Sequence, residues 1–554
     1  MQNKLKILMA TEASFLSTGF ANYSRELLTR LYNTNKYEIA EFSSYGHVND
    51  PNDSKIPWRY YPNAVRKGDA RYNEYMSSME NQFGRWRFDK VVIDFKPDVV
   101  IDIRDYWMSY YQQSSSFRKF FHWILMPTVD SAPQQQNWLD TYESADAIFT
   151  YSDFGARTLI EQTNNNINYI DTVSPGIDLE VFHPLDQQTK QANRINLGIP
   201  ADAIIVGSVM RNQKRKLIPE LVKSFKSTLD HFRKYDTNIA DRLYLYIHTS
   251  FPDAGWDIPE ILKDEGVLNH VLITYSCKAC NRISPSAFSG PRGYCPHCGN
   301  QARHIPSVAE GVSVETLKMI YNLMDIYVQY AICEGFGMPQ VEAAACGIPI
   351  ATVNYSAMED IITKLKAYPI GIAKHFKELE TKAVRVYPDD NSLKDILVKF
   401  ISLPQEEKIK KQQETRSLTE KHYNWQDIAL KWQRYLDSVK SRQKLWEQPA
   451  KLLQPIDPDK YRSSHNTLAT FTDICLHHIK DISLLSSNNI LNMIQNIEYG
   501  YVQQGTNIRE YKLEDAIQEL NIYINNINNA ENARISQYQS EEDYIKYSRI
   551  KASL

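Results

Sequence analysis

Two carboxylates, Glu334 and Glu342, flank the string Gly335-Phe336-Gly337-Met338-Pro339, a glycine-containing turn ending on a residue suited to the start of a helix. The apolar run 326–329 before it reads as a short strand, and Gly347 as the stop of a brief helix ahead of a buried strand over 348–353. Such a strand-to-helix turn offers backbone N–H groups and the positive end of a helix dipole to an anion, while the carboxylates accept hydroxyl protons. Gly335 and Gly337 allow positive φ and close approach of the backbone to a ligand. A polyol carrying phosphates fits all of these features, so the string points to a sugar nucleotide. On spacing alone the competing reading is that Glu342 only complements the helix dipole and Glu334 is a solvated loop residue.

A second cluster lies upstream. The run 204–209 reads as a buried strand, followed by Arg211, Lys214, Arg215 and Lys216 and then a helix with apolar positions Ile218, Leu221, Val222 and Phe225. Cations crowded at a strand end stabilise a departing diphosphate, whose negative charge grows as its bond to a sugar breaks. The alternative is a solvated basic turn.

These residues need a scaffold, and the rest of the amino half supplies its pattern. A strand over 5–9, a turn at Ser17-Thr18-Gly19-Phe20 and a helix over 23–31 open the chain. This turn lacks the G-x-G-x-x-G dinucleotide fingerprint, which disfavours hydride transfer. Further short apolar strands over 98–103, 121–126 and 147–151 give a strand-helix alternation. That alternation implies a parallel sheet covered on both faces, with ligands at the carboxyl ends of its strands. Asp105 and Asp130 follow two of these strands, where each either acts in catalysis or caps a turn.

The string from Glu334 to Pro349 resembles the E-x7-E signature of retaining GT-B-type glycosyltransferases of the family-4 (group 1) kind. The resemblance implies an α/β fold of two Rossmann-like doubly wound domains facing a cleft. It implies that Glu334 and the backbone of Gly335, Phe336 and Gly337 bind the donor sugar, and that Glu342 holds the ribose. The basic cluster is similar to the family's R-x4-K pair, which makes Arg211 and Lys216 the diphosphate ligands, with Arg215 and Lys214 as second choices. Gly19 would lie over the donor phosphates. Many relatives carry a His in the acceptor-facing region, where this chain has Thr128-Val129-Asp130, so the catalytic role on that side is assigned to Asp130. The segment from Ser174 to Pro184 resembles the family's P-G-I-D linker, and Tyr423-Asn424-Trp425 the start of the helix that crosses back to the first domain. The expected boundaries are 1–180 for the acceptor-side domain, 185–425 for the nucleotide-sugar domain, 426–440 for the crossing helix and 441–554 for an extension. The reaction implied is transfer of a hexosyl or pentosyl group, UDP being a typical carrier, with no catalytic metal.

Cys277-x2-Cys280 and Cys295-x2-Cys298 are separated by fourteen residues. Two such knuckles bring four thiolates to the corners of a tetrahedron around Zn2+, and disulfides are the weaker alternative. An insert over 275–300 is too small to bury its own core, and four cysteines close the metal, so the expected role is structural. His297 either replaces one of these ligands or faces solvent, the latter being expected.

At 554 residues the chain exceeds what one core supports, and a net charge of −3 removes the bulk electrostatic case for a nucleic-acid binder while leaving room for a local basic groove. Only seven cysteines occur, and no run approaches twenty apolar residues, so a reducing compartment without membrane span or signal peptide is expected. The location expected is the cytoplasm, or host cytoplasm if the gene is a phage's. Past Pro449, Pro455 and Pro458, apolar residues at helical spacing (Leu468, Phe471, Cys475, Ile479 and Ile482, then Ile490, Ile494 and Ile497, then Leu513, Ile517, Leu520, Ile524 and Ile527) predict an all-α bundle. His477 and His478 within it read as surface histidines.

The acceptor stays open between a glycan, lipid-linked saccharide or small molecule and a hydroxymethylated base in DNA. The alternative to an enzyme is an inactive scaffold that serves as a zinc-ribbon module binding nucleic acid or protein. Oligomeric state is not legible.

Overall fold

A computed structural model describes residues 4–535 apart from 48–49, 308–309, 450, 481–483, 485–487 and 505–506. Ile482 and residues 536–554 of the expected extension therefore lie outside the described residues.

The amino half forms one parallel sheet from β1 (Leu5–Glu12), β2 (Tyr37–His47), β3 (Arg59–Ala64), β4 (Val99–Asp102), β5 (His122–Leu125), β6 (Ala147–Thr150) and β7 (Tyr169–Thr172), in the order β3-β2-β1-β4-β5-β6-β7. Val99, Val100 and Ile101 are wholly buried, which is why strands covered on both faces read as apolar runs instead of alternating patterns. The second parallel sheet comprises β8 (Ile204–Val209), β9 (Leu243–His248), β10 (Val271–Ile273), β14 (Ile326–Gln329), β15 (Ile350–Val353) and β16 (Tyr368–Ile370), ordered β10-β9-β8-β14-β15-β16. Strand order reverses direction beside β1 in one sheet and beside β8 in the other, the topological switch points where open α/β sheets bind ligands.

Between β10 and β14 lies the cysteine insert, a small antiparallel sheet of β11 (Ser276–Cys277), β12 (Arg292–Gly293) and β13 (Arg303–His304). It springs from the carboxyl end of an edge strand. After β16, a hairpin of β17 (Ile372–Lys377) and β18 (Val384–Pro388) projects from the second domain, and Val384 N–H donates to the Ala132 carbonyl of the first at 2.8 Å.

The chain passes between the domains at two adjacent places. Ile177 N–H donates to the Tyr423 carbonyl at 2.8 Å, and Ile177 pairs with Asn424 as an isolated parallel bridge. Gly176 is required there, since a Cβ would stand 2.7 Å from Trp425. The helix Trp425–Leu436 then packs onto the first domain: Trp432 stacks on Phe149 with centroids 4.1 Å apart and donates through Nε1 to Tyr23 Oη at 2.9 Å.

Beyond it, Trp446 is buried beside Phe117 and Phe120 and pins the extension to the first domain. The helices Leu468–Ile479, Asn488–Tyr499 and Leu513–Ile535 share a core of Phe471, Cys475, Ile490, Leu520 and Ile524. The helical extension also carries a short hairpin, β19 (Tyr501–Gln504) with β20 (Asn507–Glu510), that helical spacing does not reveal. Gly500, at φ +72°, ends the preceding helix and lets the chain turn into it. No helix among the described residues is long and apolar enough to cross a membrane.

Candidate active site

A cleft of about 700 Å³ opens between the two domains, where the carboxyl ends of both sheets face each other. Its second-domain wall includes Arg211, Arg215, Gly335, Phe336, Gly337 and Arg385, and its first-domain wall includes Gly19, Asp105 and Asp130.

Glu334 follows β14 and is 4 % exposed, not solvated. Its carboxylate accepts from Lys216 Nζ, from Arg215 Nη1 at 3.0 Å and from Gln329 Nε2 at 2.6 Å. Burial alone would raise the Glu334 pKa, but Lys216 and Arg215 outweigh it and hold the group down at about 2. The anionic and cationic motifs found separately in sequence are therefore in direct contact. Lys216 is buried against Glu334, whereas Arg215, the second choice, reaches the cleft surface. The short turn Lys214–Lys216 and the left-handed Leu217 that follows orient these side chains.

Arg211 also lines the cleft, half-exposed and gripped in bidentate fashion by Asp253 at 2.9 and 3.1 Å. Asp253 comes from the loop after β9, a partner no motif announced.

Gly337 is the N-cap of the helix Met338–Ala345, at φ +87° where a side chain would be strained, and no side chain caps that helix. Pro339 has no N–H and Gln340 N–H donates to the Gly337 carbonyl at 3.2 Å, so what this turn presents to the cleft is the backbone from Gly335 to Met338. Gly335 is needed for a different reason: a Cβ there would stand 2.3 Å from Thr128 Cγ2 of the first domain. Glu342 lies further along the helix and accepts from Tyr321 Oη at 2.6 Å, and burial raises its pKa.

On the opposite wall, Gly19 begins the helix Gly19–Asn33 behind the N-cap Thr18, and nothing stands within 4 Å of where its Cβ would be. Asp130 is engaged across the cleft by Arg385 at 2.8 Å, and the buried Cys333 thiol donates to it at 3.3 Å. Arg385, on β18, also pairs with Glu378 at 2.9 Å. Burial, with Asp130 and Glu12 nearby, pushes Asp105 up to about 6. Asp253, Glu378 and Arg385 were missed in sequence; a lone arginine between Val384 and Val386 in an apolar strand was the one available signal.

In the insert, the four sulfurs of Cys277, Cys280, Cys295 and Cys298 lie within 4.8 Å of one another, with Cys277–Cys298 and Cys280–Cys295 each at 3.7 Å. Four thiolates ~2.3 Å from a tetrahedral Zn2+ would be separated by ~3.8 Å, so the tetrad has the dimensions of a metal site. None of these cysteines is disulfide-bonded. His297 stays outside the tetrad, exposed, with its Nε2 on the Ile283 carbonyl at 3.0 Å.

Residues 304–394 match the family described as "Glycosyl transferases group 1". A D-inositol 3-phosphate glycosyltransferase of Saccharomonospora viridis is 23 % identical over 214 residues, 39 % of this chain and 41 % of that protein. The enzyme of the same name from Mycobacterium avium is 40 % identical over 96 residues, 17 % of this chain and 21 % of that protein. The match thus spans about two fifths or less of these curated relatives. Among solved structures, sucrose-phosphate synthase from Thermosynechococcus elongatus superposes with a TM-score of 0.57 at 16 % identity, covering 80 % of this chain and all of that one (100 %). Anabaena HepE in complex with UDP and glucose gives a TM-score of 0.54 at 12 % identity, covering 78 % and 100 %. The fold is GT-B, and the chain carries a group 1 glycosyltransferase domain.

Proposed function

We propose that this protein is a retaining glycosyltransferase that moves a sugar from a nucleotide diphosphate sugar to an acceptor hydroxyl. The observation that carries the reading is the buried Glu334 carboxylate, held charged by Lys216 and Arg215 directly behind the cleft wall that Arg215, Gly335, Phe336 and Gly337 form. A carboxylate kept ionised there accepts sugar hydroxyls, and the adjoining arginines with the backbone of the glycine turn take a diphosphate. In this reading Glu334 and the backbone of Gly335, Phe336 and Gly337 hold the donor sugar, and Glu342 the ribose. Arg211 and Arg215 stabilise the diphosphate while Lys216, expected from the motif to contact it, acts from behind by holding Glu334 charged; Gly19 lies over the diphosphate, and Asp130 stands on the acceptor side. UDP is the favoured carrier, since HepE, which shares the fold, was solved with UDP and glucose bound.

The chemistry is front-face displacement. The bond from the anomeric carbon to the diphosphate oxygen breaks, the acceptor oxygen bonds to that carbon on the same face, and the acceptor's proton passes to the departing diphosphate. Arg211, Arg215 and the backbone of the glycine turn supply the growing charge's counterpart, so turnover is expected without added Mg2+ or Mn2+. The cysteine tetrad takes a structural Zn2+ through four thiolates, bracing the insert against the edge of the second sheet.

The test is release of free nucleoside diphosphate from a panel of sugar nucleotides, with and without candidate acceptors. Turnover that survives EDTA with the Zn2+ retained is expected. Strict dependence on added divalent metal would argue against the scheme, and no release from any donor would end it.

A further inference from the structure

The two walls of the cleft differ in charge, and the difference bears on the acceptor. The first-domain wall carries Glu12, Asp105 and Asp130, and among its described lining residues none is Lys, Arg or His. All three cleft arginines come from the second domain: Arg211 and Arg215 stand on the proposed donor side, and Arg385 is taken up between Asp130 and Glu378. A phosphate on the acceptor would meet Glu12 and Asp105 with no uncommitted cation on that wall. A nucleic-acid duplex, with one charge per ~1.7 Å of axis, would fare worse.

The same wall carries an aromatic corner. Trp107 lines the cleft and is 46 % exposed, so its indole is open to a ligand. Trp138 lies 6.0 Å from it at 61° and is itself clamped by Tyr106, stacked at 5.2 Å. Gln134, 7 % exposed, also lines this wall, and its Oε1 has no hydrogen-bond partner.

Building on the glycosyltransferase reading, we infer that the acceptor is an uncharged saccharide, whose C–H face packs on Trp107 with Trp138 at its edge while its hydroxyls donate to Asp105, Glu12 and Gln134. The partly positive C–H groups of a sugar face complement the negative face of an indole. Carboxylates and an amide oxygen are acceptors for the hydroxyl rim.

Calorimetry on the full chain, in the presence and absence of UDP, separates this inference from the donor reading. The probes are neutral disaccharides (maltose, cellobiose, lactose, sucrose), D-inositol 3-phosphate, and an oligonucleotide duplex containing hydroxymethylcytosine at low salt. At least one disaccharide is expected to bind, more tightly than either charged probe. Trp107→Ala is expected to weaken it about tenfold, the equivalent of one aromatic contact, while Trp107→Phe retains most of the affinity. An unchanged unfolding midpoint in both variants shows that the loss is local. Tighter binding of a charged probe, no binding of any disaccharide, or disaccharide affinity indifferent to Trp107→Ala overturns the proposal. If UDP fails to bind while a disaccharide binds through Trp107, the donor reading falls and the acceptor inference stands.

Discussion

Glu334 does two jobs at once, and its variants separate them. Glu334→Ala leaves Lys216 buried without its counter-charge, a loss of about 3–5 kcal/mol, so a drop in thermal midpoint is expected along with the loss of transfer. Glu334→Gln keeps an acceptor and the shape; it is expected to remain folded while kcat/KM falls by about two to three orders of magnitude. Because the folded pKa of about 2 lies below the ordinary 4.5, the stabilisation is complete above pH 4.5 and is lost as pH falls toward 2. The stability gap between wild type and Glu334→Gln, followed by urea titration, should close over that window. Asp105 shifts the other way. It faces Glu12, Asp130 and Arg215 and is half-protonated near pH 6, so acceptor affinity is expected to fall below that pH as Asp105 ceases to be a pure hydrogen-bond acceptor. Asp105→Asn should remove the inflection from a plot of KM for the acceptor against pH.

At the scale of elements, the glycine turn after β14 and the cysteine insert make independent predictions. Gly335→Ala pushes a methyl into Thr128 Cγ2 across the cleft; kcat/KM is expected to drop about 10–100-fold, and the added Thr128→Ser, which deletes that methyl, to restore part of it. Chelation should melt the insert alone: elemental analysis is expected to give one Zn2+ per chain, and hydrogen exchange after its removal to rise across β11–β13 while β8 and β14 stay protected. Legibility in the sequence followed the same divide. Strands β1, β4, β5, β8 and β14 stood out because apolar runs mark strands buried on both faces, and the cysteines because ligand spacing is local. The edge strands β3, β10 and β16 are short or rich in Tyr and Pro, and in the hairpin β17 is largely exposed while the five-residue β18 is broken by Arg385, so neither gave a periodic signal. Arg385 and Asp253 were hidden for another reason. Each acquires meaning only from a partner brought near by folding, Asp130 in one case and Arg211 in the other. Trp107 and Trp138 likewise had no motif to announce them.

Over the whole molecule, the cleft is held by contacts on one flank. Asp360 of the second domain accepts from the N–H groups of Asp153 and Phe154 at 2.7 and 3.3 Å, and Arg385 reaches Asp130. Arg385→Ala removes a largely buried link and leaves Asp130 and Glu378 without their shared cation, which weakens the contact between the domains. A larger radius of gyration in small-angle scattering, reversed by adding a donor that binds both walls, is the expected outcome. How far that opening goes is limited by the doubled crossing, where the backbone at Ile177 is zipped to Tyr423 and Asn424. A single thread would let the halves twist and wander; two threads laid side by side behave like a door hinge, with one axis and one swing. Such a hinge narrows the ways in which the two leaves can meet, so a substrate on one is expected to find its counterpart on the other with little search over orientation.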